Sequence, residues 1–278
     1  MAQVLLQIAL SGVDLVWRLG YNWSMNDYEK LVKKLNVRDF GGIKAEGGKS
    51  IKNGLFVRSC GLHKFSKKDV ETIRNLGVRT VIDLRTVQEI AEKPDPILSG
   101  VRYLNMPIYD ASVFGITHEK RYKITTIKIP DMPWLYQKMV KDEFSVCALR
   151  AIFQEVCALP KNGAVLWHCS EGKDRCGLVS ALFLALLGVN EETIFSDYLY
   201  TNRYNLIKSK IFWALALVYR RSLRFAESAR LSLVADRTYL ESAFNYIKST
   251  YGSLDNFFRT ALGITDSQKS ALRAYCLE

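Results

Sequence analysis

The stretch Ala164–Leu187, AVLWHCSEGKDRCGLVSALFLALL, constrains this chain more than any other. It starts as a short apolar run, passes through a polar loop and enters a second apolar run of helical length. Within the loop, five residues separate Cys169 from Arg175, with Gly172 between them and Gly177 just beyond. The pattern reads as a strand, a tight turn and a buried helix whose N-terminus points back at the turn. Backbone N–H groups of such a turn form a concave nest for an oxyanion, and the helix dipole adds partial positive charge. Those donors and the Arg175 guanidinium favour thiolate over thiol at Cys169. A thiolate beside a bound phosphate, with a guanidinium to grip two of its oxygens, makes a phosphoryl-transfer site. A cysteine and an arginine at this separation mean little alone; the strand before them, His168, Gly172 and the helix after them supply the context.

HCSEGKDRCG resembles the phosphate loop of the cysteine-dependent phosphatases, whose signature is His-Cys, five residues, Arg, Ser or Thr, and Gly. Its GKDR core is similar to the bacterial and fungal tyrosine-phosphatase-like family that also shows lipid phosphatase activity. Asn36–Gly42, NVRDFGG, resembles that family's N-terminal Asn-Phe-Arg-Asp-x-Gly-Gly, which brings in Arg38 and Asp39 as supporting residues. Gly54–Ser59 and Val81–Arg85 match its next two strands; Asp197–Asn202 and the C-terminal YGSLDNFFRTALGIT resemble its closing helices. The similarity runs from Asn36 to the end and covers residues 1–35 and 205–235 less well. It implies a cysteine-phosphatase-like α/β fold: a mainly parallel central sheet flanked by helices, with an all-helical C-terminal part, in a single phosphatase domain over residues 1–278. It also implies a mechanism through a thiophosphoryl-cysteine.

In that mechanism Cys169 is the nucleophile and Arg175 holds two equatorial phosphate oxygens, a bidentate fork that lysine would not reproduce. Ser170, Glu171, Gly172, Lys173, Cys176 and Gly177 line the phosphate, Lys173 as a point charge, and His168 orients the loop by hydrogen bonding to backbone. An acid must protonate the leaving oxygen and a base must activate water. Many relatives carry that aspartate on a separate loop upstream of the cysteine, the window in which Asp131 of PDMPW falls. Asp131 precedes a helix with proline two residues on, which reads as an N-cap. Asp174, inside the loop, is the leading candidate, followed by Asp83 at the end of VIDLR, which is otherwise a structural partner for Lys173 or Arg85. Two departures stand out. Cys176 replaces a Ser or Thr whose hydroxyl helps the thiolate depart, and a thiol is the weaker donor. Glu171 replaces the usual alanine and is tolerable near a dianion only if it points outward.

Along the chain, strand and helix alternate from Leu55 to the cysteine loop, as in a parallel sheet. Helices are expected over Tyr28–Leu35, Ser66–Gly77 with a Ser66/Asp69 capping box, Thr86–Lys93 with Glu89 three after the cap, Met132–Lys141 and Glu143–Leu159. Strands are expected over Leu55–Ser59, Val78–Leu84 and Val101–Ile108, and Pro160 opens a turn into the strand before Cys169. Six helices follow: Glu191–Tyr204, Leu206–Arg221, Leu223–Val234, Asp236–Tyr251, Leu254–Leu262 and Ser267–Cys276. Residues 205–235 read as a helical hairpin with a basic face, open to three roles: plain structure, a lid over the site, or a docking surface for anionic membrane. Met1–Gly20 is apolar at helical spacing but makes a poor signal peptide and a poor membrane span, so it reads as a helix docked on the domain, with an interfacial membrane helix as the alternative.

A net charge of +11 favours polyanionic partners: phosphorylated proteins, phosphoinositides or an anionic membrane surface. No zinc spacing, helix-turn-helix signature or Arg-Gly-Gly run is present, so neither nucleic acid nor a metal or other cofactor is expected. The six cysteines show no disulfide framework, and a nucleophilic thiolate needs a reducing compartment, which implies cytosol, of the producing cell or of a host, with peripheral membrane association open. The sequence therefore reads as a cysteine-dependent phosphatase of phosphotyrosine proteins, phosphoinositides or both. Its alternatives are a dedicated phosphoinositide 3-phosphatase and, on account of Cys176, a phosphate-binding pseudophosphatase. A rhodanese-like sulfurtransferase also places a cysteine loop before a helix, but the GKDR and NVRDFGG matches argue against it.

Overall fold

Strands β1 (Arg38–Asp39), β2 (Phe56–Ser59), β3 (Val78–Asp83), β4 (Arg102–Asn105) and β5 (Ala164–His168) pair into one sheet, in the order β1-β2-β5-β3-β4. This is the arrangement in the computed structural model, which describes residues 25–110, 131–158 and 162–278. β5 runs parallel to both β2 and β3, β3 runs parallel to β4, and only the short β1 is antiparallel, on the outer side of β2. All five residues of β5 are buried, as expected of the central strand of a sheet covered on both faces.

Alternation along the strands sorts side chains onto two faces. Phe56, Ile82, Val165 and Trp167 join the larger core, while Val57, Val81 and Leu166 join the smaller one. The smaller face is closed by α1 (Met25–Leu35) and α2 (Lys67–Asn75), through Leu35, Ile73 and Leu76. The larger is built around α6 (Asp174–Leu186), with α4 (Met132–Lys141), α5 (Glu143–Cys157), α10 (Arg237–Tyr251), α11 (Leu254–Thr260) and α12 (Asp266–Cys276) packed about it. Remaining helices are α3 (Val87–Glu92), α7 (Glu191–Tyr200), α8 (Asn202–Arg220) and α9 (Leu223–Leu233). No helix among the described residues is long and apolar enough to cross a membrane.

Local chemistry explains most boundaries. Ser66 with Asp69, and Thr86 with Glu89, form capping boxes at the starts of α2 and α3, and Asp142 separates α4 from α5. Asp131 caps α4 by accepting from the Trp134 N–H at 3.2 Å. The NVRDFGG segment contributes an edge strand, because Arg38 and Asp39 pair with Arg58 and Val57. Two expectations need correction. The strand expected over Val101–Ile108 spans only Arg102–Asn105. The helical break expected at Asn205 falls at Thr201, whose hydroxyl accepts from Arg38 Nη2 at 3.1 Å. The Met1–Gly20 reading and the turn at Pro160 lie outside the described residues.

Register sets the position of the site. Ser59 of β2 and Asp83 of β3 both lie opposite His168 of β5, so three carboxyl ends finish in line, directly under the loop that begins at Cys169. Beneath it, Phe183 of α6 meets Phe56, Trp167 and Phe40 with ring centroids 4.6, 5.3 and 5.6 Å away. Phe183→Ala should cost about 3–5 kcal/mol, read as a lower urea midpoint at unchanged slope, with the loop losing its support first.

Candidate active site

The loop from Cys169 to Lys173 is held by its carbonyl groups. Arg58 Nη2 and Asn36 Nδ2 both donate to the Gly172 carbonyl, at 2.9 and 3.0 Å, and Asn36 Nδ2 also reaches the Glu171 carbonyl at 3.3 Å. In an anion nest the carbonyls point away from the N–H groups, so gripping them from behind fixes the concave face. Gly172 itself has φ of +67°, and a Cβ there would lie 2.5 Å from the Ser59 carbonyl oxygen, so no other residue fits. The clamp is itself braced: Asp197 on α7 pairs with Arg58 Nη1 at 2.8 Å and with Arg38 Nε at 3.3 Å. Arg38 also donates to Asn36 Oδ1 at 3.0 Å, while Asp39 accepts the N–H groups of Gly41 and Gly54 at 2.7 and 2.6 Å.

Arg175, on the first turn of α6, folds its guanidinium back along the loop until Nη2 lies 3.4 Å from Ser170 Oγ, next to Cys169. Glu89 holds it there, accepting from Nη1 at 2.6 Å and from Nη2 at 2.8 Å. The same carboxylate accepts the Ser170 hydroxyl at 2.5 Å and the Thr86 N–H at 3.0 Å. Burial works against the Glu89 charge, but Arg175 outweighs it and holds the carboxyl well below the ordinary carboxylate range.

Under the loop lies a second cluster of buried charge. Arg85 donates to Asp83 from Nε at 3.0 Å and from Nη2 at 2.7 Å, and to Asp95 from Nη2 at 2.6 Å. His168 sits between Asp95, whose Oδ2 is 3.2 Å from Nε2, and the Cys169 carbonyl, 3.4 Å from Nδ1. Donor atoms of Asp83, Asp95 and His168 approach within 4.8 Å of one another, a spacing that would suit a metal ion. The Arg85 guanidinium, bonded to both carboxylates, already supplies the cation there.

The remaining loop side chains face several ways. Glu171 points outward, paired with Lys64, with the Tyr204 hydroxyl at 3.0 Å and with Lys208 at 3.3 Å. Burial opposes its charge, but these partners hold its carboxyl below the ordinary range. Lys173, read from the sequence as a point charge for the phosphate, instead sends its buried Nζ to Asp174 Oδ1 at 2.7 Å and to the Val234 carbonyl at 3.2 Å. Asp174 accepts from the Tyr136 hydroxyl as well, at 2.9 Å, and Tyr136 meets the Tyr198 hydroxyl at 2.7 Å. Cys176 is fully buried, its Sγ donating to the Trp167 carbonyl at 3.7 Å, and Gly177 packs where a Cβ would lie 2.9 Å from the Tyr198 ring. Burial pushes the Cys176 thiol up to about 11 and the Cys60 thiol up to about 12, so both stay protonated at neutral pH.

Sequence reasoning assigned no site role to Asn36, Arg58 or Asp197, although each lies inside a quoted motif. Glu89 was read only as a helix cap, and Asp95 and Tyr136 carried no signal.

The chain from residue 30 to 278 matches the model of the tyrosine phosphatase family. It is 30% identical over 237 residues to a Cupriavidus necator protein named among the tyrosine-protein phosphatases, covering 84% of this chain and 83% of that one. It is 28% identical over 270 residues to the triple specificity protein phosphatase PtpB of Mycobacterium tuberculosis, covering 87% and 96%. The crystal structure of TpbA from P. aeruginosa covers 70% of this chain and 90% of its own at 15% identity, with a TM-score of 0.30.

The depressed Glu89 carboxyl has a signed consequence for stability. Its contribution is complete above the ordinary value of 4.5 and is lost as pH falls through the lowered folded value. Glu89→Gln should therefore flatten the decline of stability below about pH 4.5, measured by denaturant unfolding across pH.

Proposed function

Because the chain belongs to the tyrosine phosphatase family, we propose that it hydrolyses phosphomonoesters through a phosphocysteine on Cys169, with phosphotyrosine proteins and phosphoinositides as its substrates. The observation that carries this reading is the folded-back Arg175, whose guanidinium returns to the residue beside Cys169. Glu89 takes the two-nitrogen end of the fork, which leaves the Nε–H edge to bind two phosphate oxygens. Loop N–H groups and the N-terminus of α6 take the remaining charge.

In the first step Cys169 Sγ attacks phosphorus in line; the S–P bond forms as the bond to the leaving oxygen breaks. Asp174 gives that oxygen its proton. In the second step Asp174, now a carboxylate, takes a proton from water, whose oxygen attacks phosphorus and expels Cys169 as thiolate. Asp174 is favoured over Asp83 for this role because of placement. Its side chain keeps 26% exposure, whereas the Asp83 carboxylate accepts three N–H groups from Arg85, its backbone N–H at 2.9 Å among them. His168 acts on the loop through the Cys169 carbonyl. Arg38, Asp39 and Gly172 shape the nest, and Ser170 helps hold Arg175 over it.

The breadth of substrate is supported by the net charge of +11 and by the similarity to PtpB, whose name describes triple specificity. Lys173 gives no support for a dedicated phosphoinositide 3-phosphatase, since its ammonium is engaged by Asp174 and Val234. Cys176 is a weak argument for a pseudophosphatase: its thiol stays protonated, and turning from the Trp167 carbonyl would make it a donor, though a weaker one than hydroxyl.

Phosphate release should occur from both a phosphotyrosine peptide and monophosphorylated phosphoinositides in vesicles, and Cys169→Ser should abolish both while retaining vanadate binding. Release from neither by the unaltered protein would overturn the enzymatic reading. Asp174→Asn should lower kcat about 100-fold on a phosphotyrosine peptide and far less on an aryl phosphate with an acidic leaving group. Asp83→Asn should lower thermal stability and leave that leaving-group dependence unchanged. Cys176→Ser should accelerate breakdown of the phosphocysteine, seen as a smaller burst and a faster steady state.

A further inference from the structure

Helices α8 and α9 form a hairpin with a small core of its own: Ala216, Ala226 and Ala229 are buried, with Trp213, Leu217 and Phe225 packed against them. With that inward face fixed, residues half a turn away face solvent. Ile207, Ile211, Leu215 and Val218 recur at helical spacing along that outer side, and they are 72%, 56%, 62% and 79% exposed. Leu223, at the start of α9, extends the stripe at 68% exposure. A contiguous apolar surface of this kind marks an interaction site, and a single exposed leucine does not.

The charge around the stripe identifies what covers it. From Tyr198 to Ala226 the sequence contains no aspartate or glutamate, yet it carries Arg203, Lys208, Lys210, Arg220, Arg221 and Arg224. Arg203 and Lys208 are spent on Glu29 and Glu171 at the base of the hairpin. Lys210 and, toward the tip, Arg220, Arg221 and Arg224 are exposed, Arg220 lying over the Tyr219 and Phe225 rings. A second copy of the chain would bring the same cations against them, which disfavours a symmetric dimer through this face. An apolar helical stripe flanked by cations, with Glu227 farther along α9 paired to Arg230, fits the boundary between headgroups and acyl chains of an anionic bilayer. The helix is not apolar enough to span, so it would lie in the plane of the interface.

We propose that the α8–α9 hairpin docks the protein on an anionic lipid bilayer, with the Ile207–Leu223 stripe at the acyl boundary and the flanking cations on lipid phosphates. The hairpin is fastened to the phosphate loop at both roots: Glu171 bonds to Tyr204 and Lys208 of α8, and Lys173 bonds to the Val234 carbonyl after α9. A docked hairpin therefore holds the loop at a fixed place relative to the membrane surface. This surface is distinct from the catalytic groups, so docking can be tested without reference to the substrate.

The test is co-sedimentation of the full chain with vesicles of phosphatidylcholine containing phosphatidylserine, with no phosphoinositide present that the catalytic loop could bind. The protein should pellet with these vesicles, pellet far less with phosphatidylcholine alone, and be released by high salt. Val218→Asp with Leu223→Asp, and separately Lys210→Glu with Arg224→Glu, should each lower the bound fraction at least about tenfold. Both variants should keep the melting temperature and the rate on a soluble phosphotyrosine peptide; normal binding without any hydrolysis would count against the proposed activity and leave the docking surface standing. The proposal is overturned if the unaltered protein stays in the supernatant, or if it binds neutral and anionic vesicles alike. It is equally overturned if the substitutions leave binding unchanged, or if they abolish a concentration-dependent dimer that does not bind vesicles.

Discussion

The Gly172 carbonyl is the point at which the structure converges. Its two donors come from residues 36 and 58, and the carboxylate that braces one of them comes from residue 197. Three separate sequence motifs therefore share one purpose, which is to hold a single peptide in an orientation it would not keep alone. Glycine is required there by both its positive φ and the Ser59 carbonyl beneath it. Because β2 and β5 are parallel and in register, Arg58 and Ser59 end up beside the loop without any bend in the sheet. The fold supplies position, and the hydrogen bonds supply direction.

Around that point the protein buries four guanidinium groups against carboxylates. Arg38 and Arg58 share Asp197, Arg85 has Asp83 and Asp95, and Arg175 has Glu89. Buried ion pairs of this kind contribute little net stability, since desolvation cancels most of the attraction, but removing one partner strands the other at a cost of about 3–5 kcal/mol. Their value here is geometric. A planar fork fixed on two oxygens cannot rotate, so Glu89 holds the Arg175 guanidinium in one orientation beside the loop.

Much of this was legible in the sequence where the requirement was local. The cysteine loop, the capping boxes of Ser66 and Thr86, the Asp131 cap and the parallel alternation of strand and helix all follow from neighbouring residues. Long-range roles were not legible. Glu89 satisfies its own helix N-terminus in any reading of the sequence, and nothing nearby shows that the same carboxylate reaches Arg175, 86 positions away. Lys173 was drawn toward the phosphate by its place in the loop, yet Asp174 and Val234 claim its ammonium. The break at Thr201 was misplaced for the same reason, because the Arg38 guanidinium that meets it belongs to the opposite end of the chain. Glu171, by contrast, could be expected to turn outward from electrostatics alone, and it does so toward Lys64 and Lys208.

The strand order has a consequence for the protein while it is being made. β5 lies between β2 and β3, although it follows both in the chain by about 80 residues or more. On the ribosome, β2 and β3 emerge with the edges that will flank β5 still open, and such edges are sticky. Only when His168 has been added can the central strand insert, and only when Asp197 follows does Arg58 gain the carboxylate that neutralises it. The nascent chain thus carries both halves of its sheet apart for most of synthesis, and the cysteine loop takes shape in one late step. A polypeptide stopped after Arg175 but before Asp197 would own the cysteine, the arginine and a closed sheet, and still lack the counter-charge that aims the loop.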